Sequence, residues 1–335
     1  MSAVSAAPVA PPVAPYRPFD VTVHAVRQLS PHFTRVTFAG DDLHLFGDTC
    51  LDQRVKVVLP LPGPADPFAH LPRHADWYAR WRELPEHRRN PFRTYTVRAV
   101  RAVRSPAGGR HPQPAREVDI DFVRHGDGGP ASRWVEAARP GDPVVLIGPD
   151  ARAESATVGV EWKPGPARTV LLAGDETAVP AITSILESLP ADTAGQAFLE
   201  VPTDADRLGM PPASGGPLRV PAGVEVHWLP RGDRPHGERL RYAVRSLLAV
   251  RPAGGPLPDP SACEDIDVET ELGAPPACGG LWETPELAVE ADAFAWLAGE
   301  AKTIADLRRH LVRERGWPRR QVAFMGYWRE GRAEA

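Results

Sequence analysis

At 335 residues the chain is long enough for about two domains, each with a core of its own. Lys and Arg number 39 against 43 Asp and Glu, a formal charge of −4, so the strongly basic field behind non-specific nucleic-acid binding is missing and no nucleic-acid partner is expected. No apolar run reaches the roughly 18 residues that a spanning helix needs, so no membrane span is expected either.

The cations are almost all arginine; the three lysines are Lys56, Lys163 and Lys302. Cys50, Cys263 and Cys278 are widely spaced, with neither a C-x-x-C pair nor a neighbouring His at a zinc-like interval. That disfavours a disulfide framework and a metal site, and three free thiols in a reducing cytoplasm are the simpler reading than a Cys263–Cys278 bridge. Residues 1–18 are Ala-, Pro- and Val-rich, without a charged start or continuous apolar centre, and read as a disordered tail rather than a signal peptide.

From 19 to 150 six β-rich segments follow one another: Val21–Val26, Thr34–Phe38, Arg54–Leu59, Thr94–Val100, Glu117–Val123 and Pro143–Ile147. Val118-Asp119-Ile120-Asp121-Phe122 shows the period-2 alternation of a half-buried strand, and a six-stranded antiparallel barrel is expected. Pro60–Asn90 and Ser105–Pro114 read as inserted loops, the first with a short helix near Ala75–Arg82. After a linker over 151–167, the apolar run Thr169–Ala173, the turn Gly174-Asp175-Glu176-Thr177 and helical spacing from Ala181 to Leu189 give strand, turn and helix. Strands at Ala197–Val201, Val224–Leu229, Ala293–Leu297 and Val322–Tyr327, with helices over Gly237–Ala249 and Thr303–Arg315, extend this to a doubly wound parallel sheet in a second domain, 168–335. The Pro-, Gly- and acid-rich stretch 251–285 reads as a long exposed loop.

Two motifs have the residue types for a flavin nucleotide. In Arg93-Thr94-Tyr95-Thr96-Val97-Arg98 a flat aromatic, small hydroxyl donors and cations sit together at a strand start. A strand with a buried Tyr and solvated arginines would read the same way. In the segment from Asp121 to Trp134 a strand ends at His125 and a glycine turn leads through Gly129 and Pro130 into a helix, so backbone N–H groups from Gly129 to Arg133 and the Ser132 hydroxyl can meet an anion. Glycine turns at helix starts are also common without ligands, and His125 alone is as readily a surface or cap residue.

These two motifs, together with Gly174–Ile182, Ala298-Gly299-Glu300-Ala301 and Gly326-Tyr327-Trp328-Arg329-Glu330-Gly331, closely resemble the siderophore-interacting proteins, FAD-dependent ferric-siderophore reductases within the ferredoxin–NADP reductase superfamily. The resemblance spans most of Phe19–Gly331, with the motifs in the family's order. It implies an FAD-binding barrel followed by an NAD(P)H-binding domain, with Arg93, Tyr95 and Thr96 on the flavin; His125, at the end of its strand, is a candidate flavin neighbour from its position alone. By the same resemblance Arg98, Gly129, Ala131 and Ser132 hold phosphate or ribityl groups, and Gly174, Asp175, Glu176, Thr177 and Glu300 face the nicotinamide nucleotide. The turn lacks G-x-G-x-x-G, and a helix capped by Asp175 or Thr177, or by Glu300, is the plain structural alternative. Lys56 stands where the family carries a substrate-binding lysine, and Arg133 and Arg231 are its expected companions for an anionic ferric siderophore, with a solvated loop charge as the equal alternative for Arg231.

The implied activity is cytoplasmic: hydride from NADH or NADPH reaches FAD, and electrons pass singly to chelated Fe(III), which leaves as Fe(II). No side chain need act as acid or base, and a monomer is expected. The rival readings are a general NAD(P)H:flavin or ferredoxin-linked oxidoreductase and a non-enzymatic siderophore-binding protein.

Overall fold

A computed structural model describes residues 13–74, 76–103, 115–124, 129–154, 158–208, 218–247, 282–283 and 291–331. The first half contains β1 (Tyr16–Gln28), β2 (Phe33–Ala39), β3 (Arg54–Val58), α1 (Trp77–Glu83), β4 (Phe92–Val103), β5 (Ala115–Val123), α2 (Pro130–Ala137) and β6 (Pro143–Pro149). Its six strands close an antiparallel barrel in the order β1-β2-β5-β4-β3-β6. The alternation read in β5 has its expected consequence: Val118, Ile120 and Phe122 fill the barrel with Phe19, Val36, Phe38, Val57 and Leu146. Asp119 and Asp121 turn outward, where Thr37, Arg101 and Arg35 bond them.

Two boundaries need correcting. β1 starts at Tyr16, paired with Pro149 of β6, so the tail ends before Tyr16 rather than at Pro18. Pro60–Asn90 is more than an inserted loop: Phe68, Leu71, Trp77 and Trp81 form a small core against Val58, Val145 and Ile147 on the outside of the barrel. Asn90, fully buried, donates to the carbonyls of Leu59 and Pro67 and ties both ends of this excursion together.

The second half contains β7 (Thr169–Gly174), α3 (Val179–Ser188), β8 (Ala194–Val201), α4 (Asp204–Leu208), β9 (Gly223–Pro230), α5 (Glu238–Leu247), β10 (Trp282–Glu283), β11 (Ala293–Glu300), α6 (Ala301–Arg309) and β12 (Val322–Trp328). The sheet order is β10-β12-β11-β7-β8-β9, parallel throughout except for β10. Along β7, Val170 and Leu172 pack with α3 on one face while Leu171 and Ala173 pack with α5 and α6 on the other. Helices on both faces explain why these strands read as unbroken apolar runs. β10 is a correction to the 251–285 loop, which contributes this two-residue antiparallel edge to β12. Cys263 and Cys278 lie outside the described residues. Among the described residues no helix is long and apolar enough to cross a membrane.

Helix α3 lies between sheet and barrel; Val179 to Leu186 are all buried, and Phe33 and Val123 of the barrel belong to the same core. Buried polar contacts reinforce this seam. The Asp52 carboxylate accepts from the Glu161 and Trp162 amides and from Trp296 Nε1 at 2.9 Å, joining barrel, linker and sheet. Asp206 of α4 accepts from Ser30 Oγ at 2.6 Å and from the His32 amide at 3.1 Å.

Candidate functional site

The site starts on β4, which the barrel holds between β3 and β5. Up to Val97 its alternation is regular: Arg93, Tyr95 and Val97 share one face, and Thr94 and Thr96 the other. Tyr95 is half-buried, its ring centroid 4.3 Å from that of Phe122. Arg93 is also half-buried, and its Nη2 lies 3.8 Å from where Gly129 would carry a Cβ. Gly129 has φ +21 and opens α2, with Pro130 in the first turn and no side chain capping the helix. A guanidinium and an uncapped helix start therefore meet at one point, beside a partly open aromatic ring. Buried Ala131 and half-buried Ser132 follow in the first turn, while Arg133 is exposed. This donor set suits a diphosphate, and the Tyr95 ring suits a flat conjugated partner. His125 lies outside the described residues.

Thr96 connects this group to the second domain through a side-chain hydrogen bond with Tyr327 of β12. Burial, together with the Asp52 charge, pushes the Tyr327 phenol well above its ordinary range, so it stays protonated. The next residue, Trp328, donates from Nε1 to Asp175 at 2.8 Å and so reaches the turn after β7. On the outer face of β3, Lys56 pairs in register with Thr94, with Nζ 3.3 Å from Thr94 Oγ1 and 4.8 Å from the centre of the Phe92 ring. Lys56, Thr94 and Thr96 thus share one surface of the barrel.

The Gly174 turn is organised differently from the sequence expectation. Asp175 and Glu176 point into the protein. Asp175 Oδ1 accepts from the Thr177 amide and hydroxyl, and Oδ2 accepts from the Glu300 amide at 2.7 Å as well as from Trp328. Burial and the neighbouring Glu176 charge push this carboxyl up to about 7. Asp175 thereby clamps the ends of β7, β11 and β12. Gly299, with φ +145, is needed for the clamp, because a Cβ there would lie 2.5 Å from Asp175 Oδ2. Gly174 is held as tightly, with no room for a Cβ against Ala298 O and Ala178.

Glu176 receives two bonds from Arg231, at 2.9 and 3.0 Å. Burial opposes its charge, but these bonds win and hold the carboxyl below its ordinary value. Glu300 caps α6 by accepting from the Thr303 amide, which is the plain structural alternative. In this turn only Thr177 is left partly open.

Two arginines depart from their expected places. Arg98, at a β-bulge between Val97 and Ala99, keeps to the outer face with Thr94 and Thr96 and reaches α3, where it makes a two-pronged contact with Glu187 at 3.1 Å and is 3% exposed. Its guanidinium joins the domains and does not sit with Arg93 at the helix start. Arg231 is 8% exposed, engaged with Glu176 and Glu200, and is not brought together with Lys56 and Arg133. Sequence reasoning missed Asp52, Trp296 and Asp206, each of which reaches a partner more than a hundred residues away. Burial of an Asp is the signal, and it appears only in three dimensions.

A closed antiparallel barrel followed by a parallel sheet with its crevice at the β7–β11 switch is the two-domain ferredoxin reductase fold. A ferredoxin reductase of carbazole 1,9a-dioxygenase shares it with a TM-score of 0.52 at 15% identity, covering 95% of this chain and 69% of that one. Residues 22–153 match the siderophore-interacting FAD-binding domain and 167–331 match the siderophore-interacting protein model, and the chain belongs to the siderophore-interacting protein family. An uncharacterized Mycobacterium tuberculosis protein, Rv2895c, is 32% identical over 334 residues, covering 96% of this chain and 92% of its own. Ferric vibriobactin reductase ViuB of Vibrio cholerae is 28% identical over 308 residues, covering 92% of this chain and 88% of its own. The siderophore-interacting protein SipS from Aeromonas hydrophila superposes with a TM-score of 0.58 at 27% identity, over 95% of this chain and 94% of that one.

Proposed function

We propose that the protein is an FAD-dependent reductase that passes electrons from NADH or NADPH to ferric siderophores and releases Fe(II). The observation that carries this reading is the meeting of Arg93 with the uncapped start of α2 beside the Tyr95 ring, one residue from the Thr96–Tyr327 contact that joins the two domains. Similarity to ferric vibriobactin reductase supports the choice of acceptor.

Bound FAD would supply the conversion of a two-electron donation into the single electrons that Fe(III) accepts. The chain's own contribution is placement. Arg93 and the amides of Gly129, Ala131 and Ser132 would hold the diphosphate, and Tyr95 and Thr96 would set the ring plane. Thr177, the accessible residue of the Gly174 turn, would face the nicotinamide nucleotide, while Asp175, Glu176 and Glu300 shape the turn from behind. Lys56, with Arg133 further along the surface, would attract an anionic ferric chelate. Use of a nicotinamide donor fits a cytoplasmic reaction.

The test is FAD affinity. The purified chain should bind FAD without a covalent link, and Arg93→Ala should weaken binding by about 1.5–3 kcal/mol, roughly ten- to a hundredfold in Kd, since a charge-assisted contact is lost. A chain that takes up no FAD on titration contradicts the reading.

A further inference from the structure

Charged residues gather at the ends of β8 and β9, where Asp204 and Arg207 contact each other at 3.1 Å. Resting on the reductase reading, we propose that the electron donor is NADH, that this edge of the sheet rejects the 2′-phosphate of NADPH, and that Asp204 is the main discriminating residue.

In a doubly wound sheet a dinucleotide crosses the carboxyl ends of the strands at the switch point, here between β7 and β11. An acidic group beyond the second strand accepts from the 2′-hydroxyl of the adenosine ribose, whereas an arginine there receives a 2′-phosphate. β8 is the second strand of this sheet in chain order. It runs through Pro202 and Thr203 into Asp204, whose side chain is 64% exposed. The backbone carrying Asp204 is fixed, because the buried Asp206 accepts from the Thr203 amide and hydroxyl and from Ser30 and His32 across the domain seam.

Three of the arginines that follow β8 and β9 contact carboxylates. Arg207 contacts Asp204 at 3.1 Å, and Arg234 contacts Glu238 at 2.6 Å. Arg231 lies between Glu176 and Glu200, and Glu200 also accepts from the amides of Gly237 and Leu240 at the start of α5. Recruiting Arg231 to a phosphate would leave two buried carboxylates without their counter-charge, which is strongly unfavourable. Asp233, after β9, adds a second exposed carboxylate to Asp204 on this edge. A dianionic 2′-phosphate meets repulsion there, while a neutral 2′-hydroxyl finds an acceptor.

Calorimetric titration of the full-length protein with 5′-AMP and 2′,5′-ADP, which differ only in the 2′-phosphate, isolates the discriminating group, and anaerobic flavin reduction by NADH and NADPH reads it in turnover. 5′-AMP should bind about five- to tenfold tighter than 2′,5′-ADP, with NADH favoured to a similar degree, as one or two unfavourable charge contacts near the surface dictate. Asp204→Asn, on an exposed position, should narrow both ratios by at least about threefold, and raising salt from about 0.05 to 0.5 M should narrow them in the unaltered protein. Equal or tighter binding of 2′,5′-ADP, or ratios unmoved by Asp204→Asn, overturns the inference and leaves the reductase reading standing. If neither nucleotide binds or reduces the flavin while dithionite does, the reductase reading falls and this inference with it.

Discussion

Asp52 shows how one side chain can decide the relation between two domains. Its carboxylate gathers two linker amides and the Trp296 indole, and it is 1% exposed, with burial pushing its pKa up to about 6. Asp175 is raised further, to about 7, at the clamp between β7, β11 and β12. For both, the folded value exceeds the ordinary carboxyl value of 3.8, so the folded protein holds protons that the unfolded chain has released. The sign follows: their contribution is full below about pH 4 and is lost as pH rises through 6 to 7. Asp119, Asp150, Asp206 and Glu176, whose values are lowered, lose their contribution only at lower pH. Unfolding free energy measured in urea should therefore decline between pH 5 and 7.5, and Asp52→Asn should flatten part of that decline. The same pH dependence in the variant would show that Asp52 does not titrate in this range.

The elements carry their information in what docks on them as much as in patterns. Alternation along Arg93–Val97 places Tyr95 and Arg93 together, and the structure keeps them so. Arg98 stays with Thr96 on the opposite face, which is the face the second domain covers, and so meets Glu187. The docking of α3 on that face has no mark in the alternation of residue types, so the sequence alone reads Arg98 as another ligand-facing cation. The turn after β7 follows the same rule: its polar residues are visible, but the partners of Asp175 and Glu176, Trp328 and Arg231, lie 153 and 55 residues away. Arg98→Ala tests the distinction. Breaking a buried ion pair at the α3 seam should cost on the order of 3 kcal/mol of unfolding free energy, because Glu187 is left largely buried without its partner. FAD affinity of the folded fraction should change far less than in Arg93→Ala. A loss of FAD at unchanged stability would return Arg98 to the phosphate site.

For the whole molecule, the barrel and the doubly wound sheet were legible because period-2 alternation and strand–helix rhythm are local. The Pro60–Asn90 core, the β10 edge and the seam around α3 were not, since each depends on contacts between distant segments. Those contacts join the two domains that the proposed transfer of electrons from a nicotinamide to a ferric chelate requires. Anaerobic stopped-flow spectroscopy follows that transfer in its two halves. The FAD-loaded protein, mixed with NADH, should lose its flavin absorbance in a first phase. Adding a ferric siderophore should restore it in a second phase, with Fe(II) appearing at two equivalents per flavin. Reduction by NADH followed by reoxidation with simple quinones but no ferric siderophore would contradict that transfer.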